Sequence, residues 1–247
     1  MKFGVIGEWE AGAGPARLER LAEAESQGYQ AVWIAVGEGV PATAGRTLFA
    51  ATGLAERTSQ VRIGLYAPLP GDLHPLRLAE DLAVLDLVSG GRLDWAPARG
   101  ADPEALDIVL RAWQGDRFSH EGARYAFPEL TCWPLPDQRP HPRLWLEPGS
   151  GAPGAADAQA TGALIHAGPE ASAPPADFQG AARMALICPL AGAGSAGPEA
   201  WLEVLPEWQE RWAPEWVLVW PQSGSADEAE QAESQRRFAA GAAALSA

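Results

Sequence analysis

Several residues that could bind a phosphate or move a proton come directly after short apolar runs of this sequence. Arg99 follows the apolar run 93–97, and its guanidinium offers a planar fork of donors that suits phosphate oxygens. The alternative for Arg99 is a surface ion pair with Asp102 or Glu104. Arg99 is therefore the first candidate for binding an anionic group.

Two further candidates follow other apolar runs. Gly149 and Ser150 come after the run 143–147 and could offer backbone N–H groups and a hydroxyl to a phosphate. A plain glycine-rich turn is the alternative for this pair. Glu38 follows the run 31–36 and could act as a general base, although an exposed loop carboxylate is the more common role for such a residue.

These candidates need a scaffold that brings the ends of the apolar runs together. Eight runs have the pattern of buried strands, at residues 3–6, 31–36, 61–67, 93–97, 143–147, 163–167, 184–190 and 215–220. Helical spacing or capping signals separate many of them, at residues 15–28, 44–57, 75–88, from Asp102 onward, at 201–212 and at 227–245. Residues 171–179 contain Pro174 and Pro175, so an irregular connection is expected in place of a sixth helix.

Eight strands that alternate with helices predict an α/β fold, a (β/α)8 TIM-type barrel. The barrel is expected to be shortened, with at least one helix reduced or missing, and to form a single domain over residues 1–247. An open doubly wound sheet is the second choice, because no Gly-x-Gly-x-x-Gly follows the first strand. Residues 114–142, rich in proline and aromatic residues, show no clear helical period.

In a parallel barrel the carboxyl ends of the strands share one edge, and sites form there. The strand-end residues are Glu8 and Trp9, Gly37 and Glu38, Tyr66 and Ala67, Ala98 and Arg99, Gly149 and Ser150, His166, Pro189, and Pro221 and Gln222. We expect functional side chains to come from this set.

Composition excludes some partners and indicates a location. A net charge of −14 argues against binding to nucleic acid or to an anionic membrane surface. No apolar stretch approaches the roughly 20 residues that span a bilayer, and the residues after Met1 do not resemble a secretion signal. The plain expectation is a cytoplasmic protein.

Other residues are expected to be structural. Cys132, Cys188 and the four histidines have no metal-ligand spacing, so no metal is expected and both thiols should be reduced and buried. Asp86 and Arg92 flank a Ser-Gly-Gly turn and are expected to form a structural ion pair. The tryptophan-rich stripe of residues 201–212 is expected to face the core.

Two segments resemble a known family. The first, residues 61–100, includes Arg62-Ile63-Gly64, His74-Pro75, Ala79-Glu80-Asp81, Leu85-Asp86 and Ser89-Gly90-Gly91-Arg92-Leu93. The second includes Phe118-Ser119-His120-Glu121-Gly122, Tyr125 and Arg139-Pro140-His141-Pro142. In order and spacing these pieces resemble the bacterial luciferase-like flavin-dependent monooxygenases.

The resemblance implies a monooxygenase that uses reduced FMN, or the related deazaflavin coenzyme, at the carboxyl ends of the strands. It implies a separate flavin reductase, a small organic substrate and a homodimer formed through early barrel helices. It places Arg99 at the FMN phosphate, and Gly149 and Ser150 could donate to the same phosphate. Tyr66 and Ala67 fall where the family often has a strained cis peptide beneath the flavin ring; an ordinary trans strand end is the alternative.

The sequence also departs from the family. Members often carry a histidine near the end of the second strand, where residues 36–39 are Val-Gly-Glu-Gly, which leaves Glu38 as the catalytic candidate. The segments after Gly100 and between the fifth and eighth strands are short. Two alternatives therefore remain. The first is a flavin-dependent oxidoreductase. The second is a non-catalytic relative, either a barrel that binds flavin or another ligand, or a partner subunit of an active paralogue, and in that case no cofactor need be bound.

Overall fold

Eight parallel strands close into a barrel in the computed structural model, which describes residues 1–9, 14–36, 44–67, 69, 73–98, 100–148, 160–166, 183–191, 197–221 and 228–245. The barrel strands are β1 (Lys2–Trp9), β2 (Ala31–Val36), β3 (Arg62–Ala67), β4 (Leu93–Pro97), β7 (Arg143–Leu146), β8 (Gly162–His166), β9 (Met184–Ala191) and β10 (Trp216–Pro221). Each pairs with the next in this order, and β10 pairs in parallel with β1. The predicted barrel is thus confirmed over the open sheet.

Six helices lie in the described part of the chain: α1 (Pro15–Ser26), α2 (Ala44–Arg57), α3 (Pro75–Ser89), α4 (Pro103–Ala112), α5 (Pro198–Trp212) and α6 (Glu228–Leu245). The irregular connection predicted for residues 171–179 falls outside the described residues. A hairpin of β5 (Phe118–Glu121) and β6 (Ala126–Leu130) occupies part of the segment that had no helical period. The single domain over residues 1–247 stays a prediction.

Local sequence signals set the helix ends. Proline stands at the first position of α1, α3, α4 and α5, where its missing N–H costs nothing. Asp102 caps α4 as predicted, because its carboxylate accepts the Glu104 N–H at 3.1 Å. Gly90 ends α3 in the left-handed conformation, with φ of 66°, which glycine adopts without a steric penalty. No helix in the described part of the chain is long and apolar enough to cross a membrane.

The barrel interior is filled by side chains from alternate strand positions. Ile6, Trp33, Trp145 and Leu218 belong to one buried cluster inside the strands. Trp33 lies directly over Gly64 of the neighbouring strand, where a Cβ atom would overlap the indole ring. A glycine on β3 is therefore required so that a tryptophan from β2 can fill the barrel centre.

A second buried cluster lies between the strands and the helices. It includes Trp201, Leu205 and Trp208, all under 5% exposed, which confirms the core-facing stripe on α5. Cys132 and Cys188 are buried free thiols, as expected. Burial raises the pKa of Cys132 to about 11, so this thiol is not a reactive thiolate near neutral pH.

The predicted Asp86–Arg92 ion pair is wrong. The Asp86 carboxylate instead accepts two hydrogen bonds from Gln138, its backbone N–H at 2.8 Å and its side-chain amide at 2.7 Å. The Arg92 guanidinium donates to the carbonyl oxygens of Ser89 and Ala55 and to Thr58, among others. The N–H groups of Arg92 are thus hydrogen-bonded to uncharged acceptors at the end of α2, in the turn after it and at the end of α3. An ion pair with Asp86 is not needed.

Candidate active site at the carboxyl end of the barrel

Five inward-facing side chains meet at the carboxyl end of the barrel. Glu8 lies near the end of β1, Tyr66 near the end of β3, and Glu147 directly after β7. His166 ends β8, and Trp220 lies near the end of β10. Because parallel strands point the same way, residues distant in sequence arrive at one edge of the barrel. We call these five residues the mouth cluster.

Three of the four proton-carrying members of the mouth cluster lie close to one another. The Tyr66 hydroxyl is hydrogen-bonded to Glu147 Oε1. His166 Nε2 is 3.4 Å from Tyr66 Oη and 3.8 Å from Glu147 Oε1. A phenol, an imidazole and a carboxylate, the side-chain types most used for general acid–base catalysis, therefore form one triangle of polar atoms.

The other two members form a fixed pair beside this triangle. Trp220 Nε1 donates to Glu8 Oε1 at 3.0 Å. The Trp220 ring meets the Tyr66 ring edge to face at 6.2 Å between centroids, and it lies 6.2 Å from the His166 ring. The hydrogen bond to Glu8 holds the indole in the orientation that contacts both rings.

Burial differs sharply within the mouth cluster. The Glu147 side chain is 4% exposed, whereas that of His166 is 46% exposed. Glu8 is also buried, at 8%. Charged groups are seldom so deeply buried unless hydrogen-bonded partners offset the loss of water, and both carboxylates have such partners.

The predicted site residues fall into two groups. Glu38, Arg99, Gly149 and Ser150 lie outside the described residues, so their roles stay predictions. Tyr66 belongs to the mouth cluster, and Ala67 follows it with its carbonyl oxygen accepting the Ala98 N–H at 2.9 Å.

The peptide bond between Tyr66 and Ala67 is trans. Among the described residues, the cis bonds are Trp133–Pro134 and Arg139–Pro140. The trans alternative for this strand end is therefore the one that the structure shows.

Sequence reasoning missed two members of the mouth cluster. Glu147 and Trp220 are the last residues of the predicted strands 143–147 and 215–220, and the sequence indicates no role for either. The period-two alternation through Arg143, Trp145 and Glu147 could have found the first, because all three fall on the same face of β7. His166 and Glu8 were in the strand-end set, but no sequence pattern linked them to Tyr66.

The mouth cluster fits part of a flavin. Its aromatic rings offer planar apolar surfaces, and its donors and acceptors suit the polar edge of an isoalloxazine ring. Its two carboxylates, Glu8 and Glu147, would repel a phosphate, so an FMN phosphate would have to bind elsewhere. No cluster of three or more metal-binding side chains lies in the described ranges.

Comparison with known proteins identifies related sequences for the first part of the chain. Residues 1–104 match the family model for luciferase-like monooxygenase, which confirms the predicted resemblance over β1 to β4. The oxygenase component of the flavin-dependent trigonelline monooxygenase of Acinetobacter baylyi is 32% identical, over 38% of this chain and 31% of that protein. An uncharacterized protein of Sinorhizobium fredii is 31% identical, over 38% and 33%. The match spans about a third of the length of these relatives.

Solved structures share the fold over nearly the whole chain. Monooxygenase RslO1 from Streptomyces bottropensis has a TM-score of 0.73 at 22% identity, with 100% of both chains covered. An F420-dependent secondary alcohol dehydrogenase in complex with an F420-acetone adduct has a TM-score of 0.72 at 12% identity, over 96% of this chain and 97% of that one.

A third solved structure is the oxygenating constituent of 3,6-diketocamphane monooxygenase from the CAM plasmid of Pseudomonas putida, in complex with FMN. It has a TM-score of 0.57 at 16% identity, over 86% of this chain and 74% of that one. At such identities these three likenesses show a common fold.

Proposed function

We propose that the chain is a flavin-dependent oxidoreductase, of the monooxygenase type, that acts on a small organic substrate at the carboxyl end of its barrel. The observation that carries the proposal is the mouth cluster, where four proton-carrying groups and an indole converge on the barrel edge that holds enzyme sites. The family match over residues 1–104 supports the same conclusion. When bound, a reduced flavin supplies the electrons that no side chain of the mouth cluster can supply.

The residues of the mouth cluster have separate parts in this proposal. Trp220, Tyr66 and His166 bind the ring system and exclude water from one side of it. Glu8 fixes the Trp220 indole through its hydrogen bond. Glu147 holds the Tyr66 hydroxyl, so the phenol keeps one orientation at the site.

FMN is the cofactor that we propose, and the deazaflavin coenzyme is the alternative. Structures with the same fold include one in complex with FMN and one with F420. Arg99, Gly149 and Ser150 are proposed to hold the phosphate, because the mouth cluster itself is acidic. A separate reductase is proposed as the source of the reduced flavin, since the trigonelline enzyme is described as an oxygenase component.

A homodimer is part of the proposal. Helices α2 and α3 pack side by side and expose apolar side chains, with Phe49 80% exposed and Val84, Leu87 and Val88 each about 45% exposed. A second copy of the chain would cover this surface. The cytoplasmic location rests on sequence composition and stays a prediction.

Titration of the purified protein with FMN tests the proposal. Binding should quench the flavin fluorescence and shift its visible spectrum, and Trp220→Leu should weaken it because the ring contact is lost. Trp133→Leu is the matched control, since that tryptophan is 64% exposed and is not part of the mouth cluster.

The outcomes of this experiment separate the two functions. Failure to bind either FMN or the deazaflavin at high concentration would reject the flavin enzyme. Binding without oxygen consumption in a reductase-coupled assay would favour the non-catalytic barrel or partner subunit instead.

A further inference from the structure

The Tyr66 hydroxyl lies between the two other groups of the polar triangle, His166 and Glu147. It is bonded to Glu147 Oε1 on one side and faces His166 Nε2 at 3.4 Å on the other. The Tyr66 hydroxyl donates one proton and accepts another, so it can stand between an N–H donor and a carboxylate. The three groups therefore form a chain with a direction: imidazole, phenol, carboxylate.

The two ends of this chain differ in their access to water. The His166 side chain is 46% exposed, and the Glu147 side chain is 4% exposed. An exposed imidazole exchanges protons with solvent, whereas a buried carboxylate depends on neighbouring groups for exchange. The three groups thus connect solvent at the barrel mouth with the buried carboxylate of Glu147.

We propose that His166, Tyr66 and Glu147 form a proton relay between solvent and the interior of the barrel mouth. The inference rests on the proposed function, in which flavin-dependent oxidation must move protons as well as electrons. It adds to that function a route for the proton.

The relay step balances in atoms and charge. The Nε2–H bond of the His166 imidazolium breaks and its proton passes to Tyr66 Oη, while the Tyr66 O–H proton passes to Glu147 Oε1. Imidazolium becomes neutral imidazole, carboxylate becomes carboxylic acid, and the phenol is regenerated. The reverse step returns a proton to solvent.

Glu8 is the titratable member of the mouth cluster that lies outside the relay. Glu8 from β1 accepts the Trp220 N–H, and Trp220 from β10 packs against both Tyr66 and His166. On β2 and β4, the residues paired with Tyr66 are Ala35 and Ala96, and on β9 the residue paired with His166 is Ile187.

The first test needs no flavin. The chain has only four histidines, so the ring signals of each imidazole can be followed by NMR. At one fixed pH, we expect the His166 ring signals to shift in Tyr66→Phe and in Glu147→Gln, because each substitution changes a polar group near Nε2, at 3.4 Å and 3.8 Å respectively. His120, whose Nε2 lies 3.0 Å from Glu104 Oε1, is the internal control. His166 ring signals that are the same in wild type and both variants would overturn the relay.

The second test uses the enzyme loaded with flavin. With flavin at saturation, His166→Gln should lower kcat by roughly 100-fold or more and change the pH profile of kcat. It should leave the KM of the organic substrate little changed and respond to added imidazole. His120→Gln should do none of these. Normal kcat and an unchanged pH profile in His166→Gln would reject the relay while leaving the flavin function standing. Absence of flavin binding in the wild type would reject the function, and the NMR comparison would still test whether His166 is coupled to Tyr66 and Glu147.

Discussion

The indole of Trp33 lies over the backbone of Gly64, at paired positions of two adjacent barrel strands. Trp33 is 2% exposed and has no room to withdraw from the barrel centre. The pair shows how the barrel accommodates a large ring: the glycine on β3 has no side chain, and the indole from β2 occupies the space.

Gly64→Ala should lower the free energy of unfolding by about 1–3 kcal/mol, because the new methyl group overlaps the Trp33 ring. Urea unfolding measures the loss. In the Trp33→Leu background the same change should cost much less, since a smaller side chain leaves space for the methyl group. Additive effects of the two substitutions would show that the overlap is not the cause.

The Arg92 guanidinium supports the turn between α2 and β3, and Arg92→Lys should destabilise the protein by about 2–4 kcal/mol. A lysine cannot reproduce the fork that reaches Ala55, Thr58 and Val61 together. Thermal and urea unfolding would measure this. Arg77→Lys on α3, where the side chain is 63% exposed, is the control and should change little.

Glu104 anchors the β5–β6 hairpin, and its attachment should weaken in acid. The His120 hydrogen bond, with backbone N–H groups of Tyr125 and Arg124, outweighs the opposing effect of desolvation and lowers the pKa of Glu104. A carboxyl with a lowered folded-state pKa stabilises the protein above its unfolded-state pKa, and that stabilisation is lost as pH falls through the folded-state pKa.

The protection factors of the backbone amides over residues 118–130 should therefore fall once the pH drops below about 4.3, the ordinary pKa of a glutamate. In Glu104→Gln, the backbone amides of the hairpin should already exchange rapidly at neutral pH. Equal protection of the hairpin in wild type and Glu104→Gln would contradict this role.

Arg99, the predicted phosphate ligand, can be tested by comparing two flavins. Arg99→Ala should weaken FMN binding by about 1.5–3 kcal/mol, the value of a charge-assisted hydrogen bond. Riboflavin, which lacks the phosphate, should bind equally well to wild type and variant. Arg77→Ala provides the control for loss of a positive charge. An unchanged FMN affinity would remove Arg99 from the site.

The apolar surface of α2 and α3 should determine the oligomeric state. Phe49→Asp with Leu87→Asp should turn a dimer into a monomer in sedimentation or light scattering, because burying two charges at an interface is strongly unfavourable. Ala244→Asp, at an exposed site on α6, is the control, since α6 packs beside α5 and not beside α2 or α3. A monomeric wild type would reject the homodimer.

Sequence patterns predicted the barrel well because each strand is a continuous apolar run between turn signals, and such runs depend on local sequence alone. The hairpin was missed because β6 (Ala126–Leu130) contains a proline and is largely exposed, so it lacks the alternation of a half-buried strand.

The mouth cluster could be predicted only in part, for a different reason. Tyr66 and His166 are 100 residues apart and touch because the barrel closes, which no local pattern records. Asp86 and Arg92 are close in sequence, and this proximity suggested an ion pair. In the structure the Asp86 carboxylate instead accepts hydrogen bonds from Gln138, a residue of a later segment.

The tryptophans that fill the barrel centre, Trp33 and Trp145, are both almost fully buried inside the strands that carry the mouth cluster. In the proposed enzyme, a ligand at the mouth cluster would therefore have packed indole rings between it and the opposite end of the barrel. It would arrive at the carboxyl end of the strands and leave on the same side.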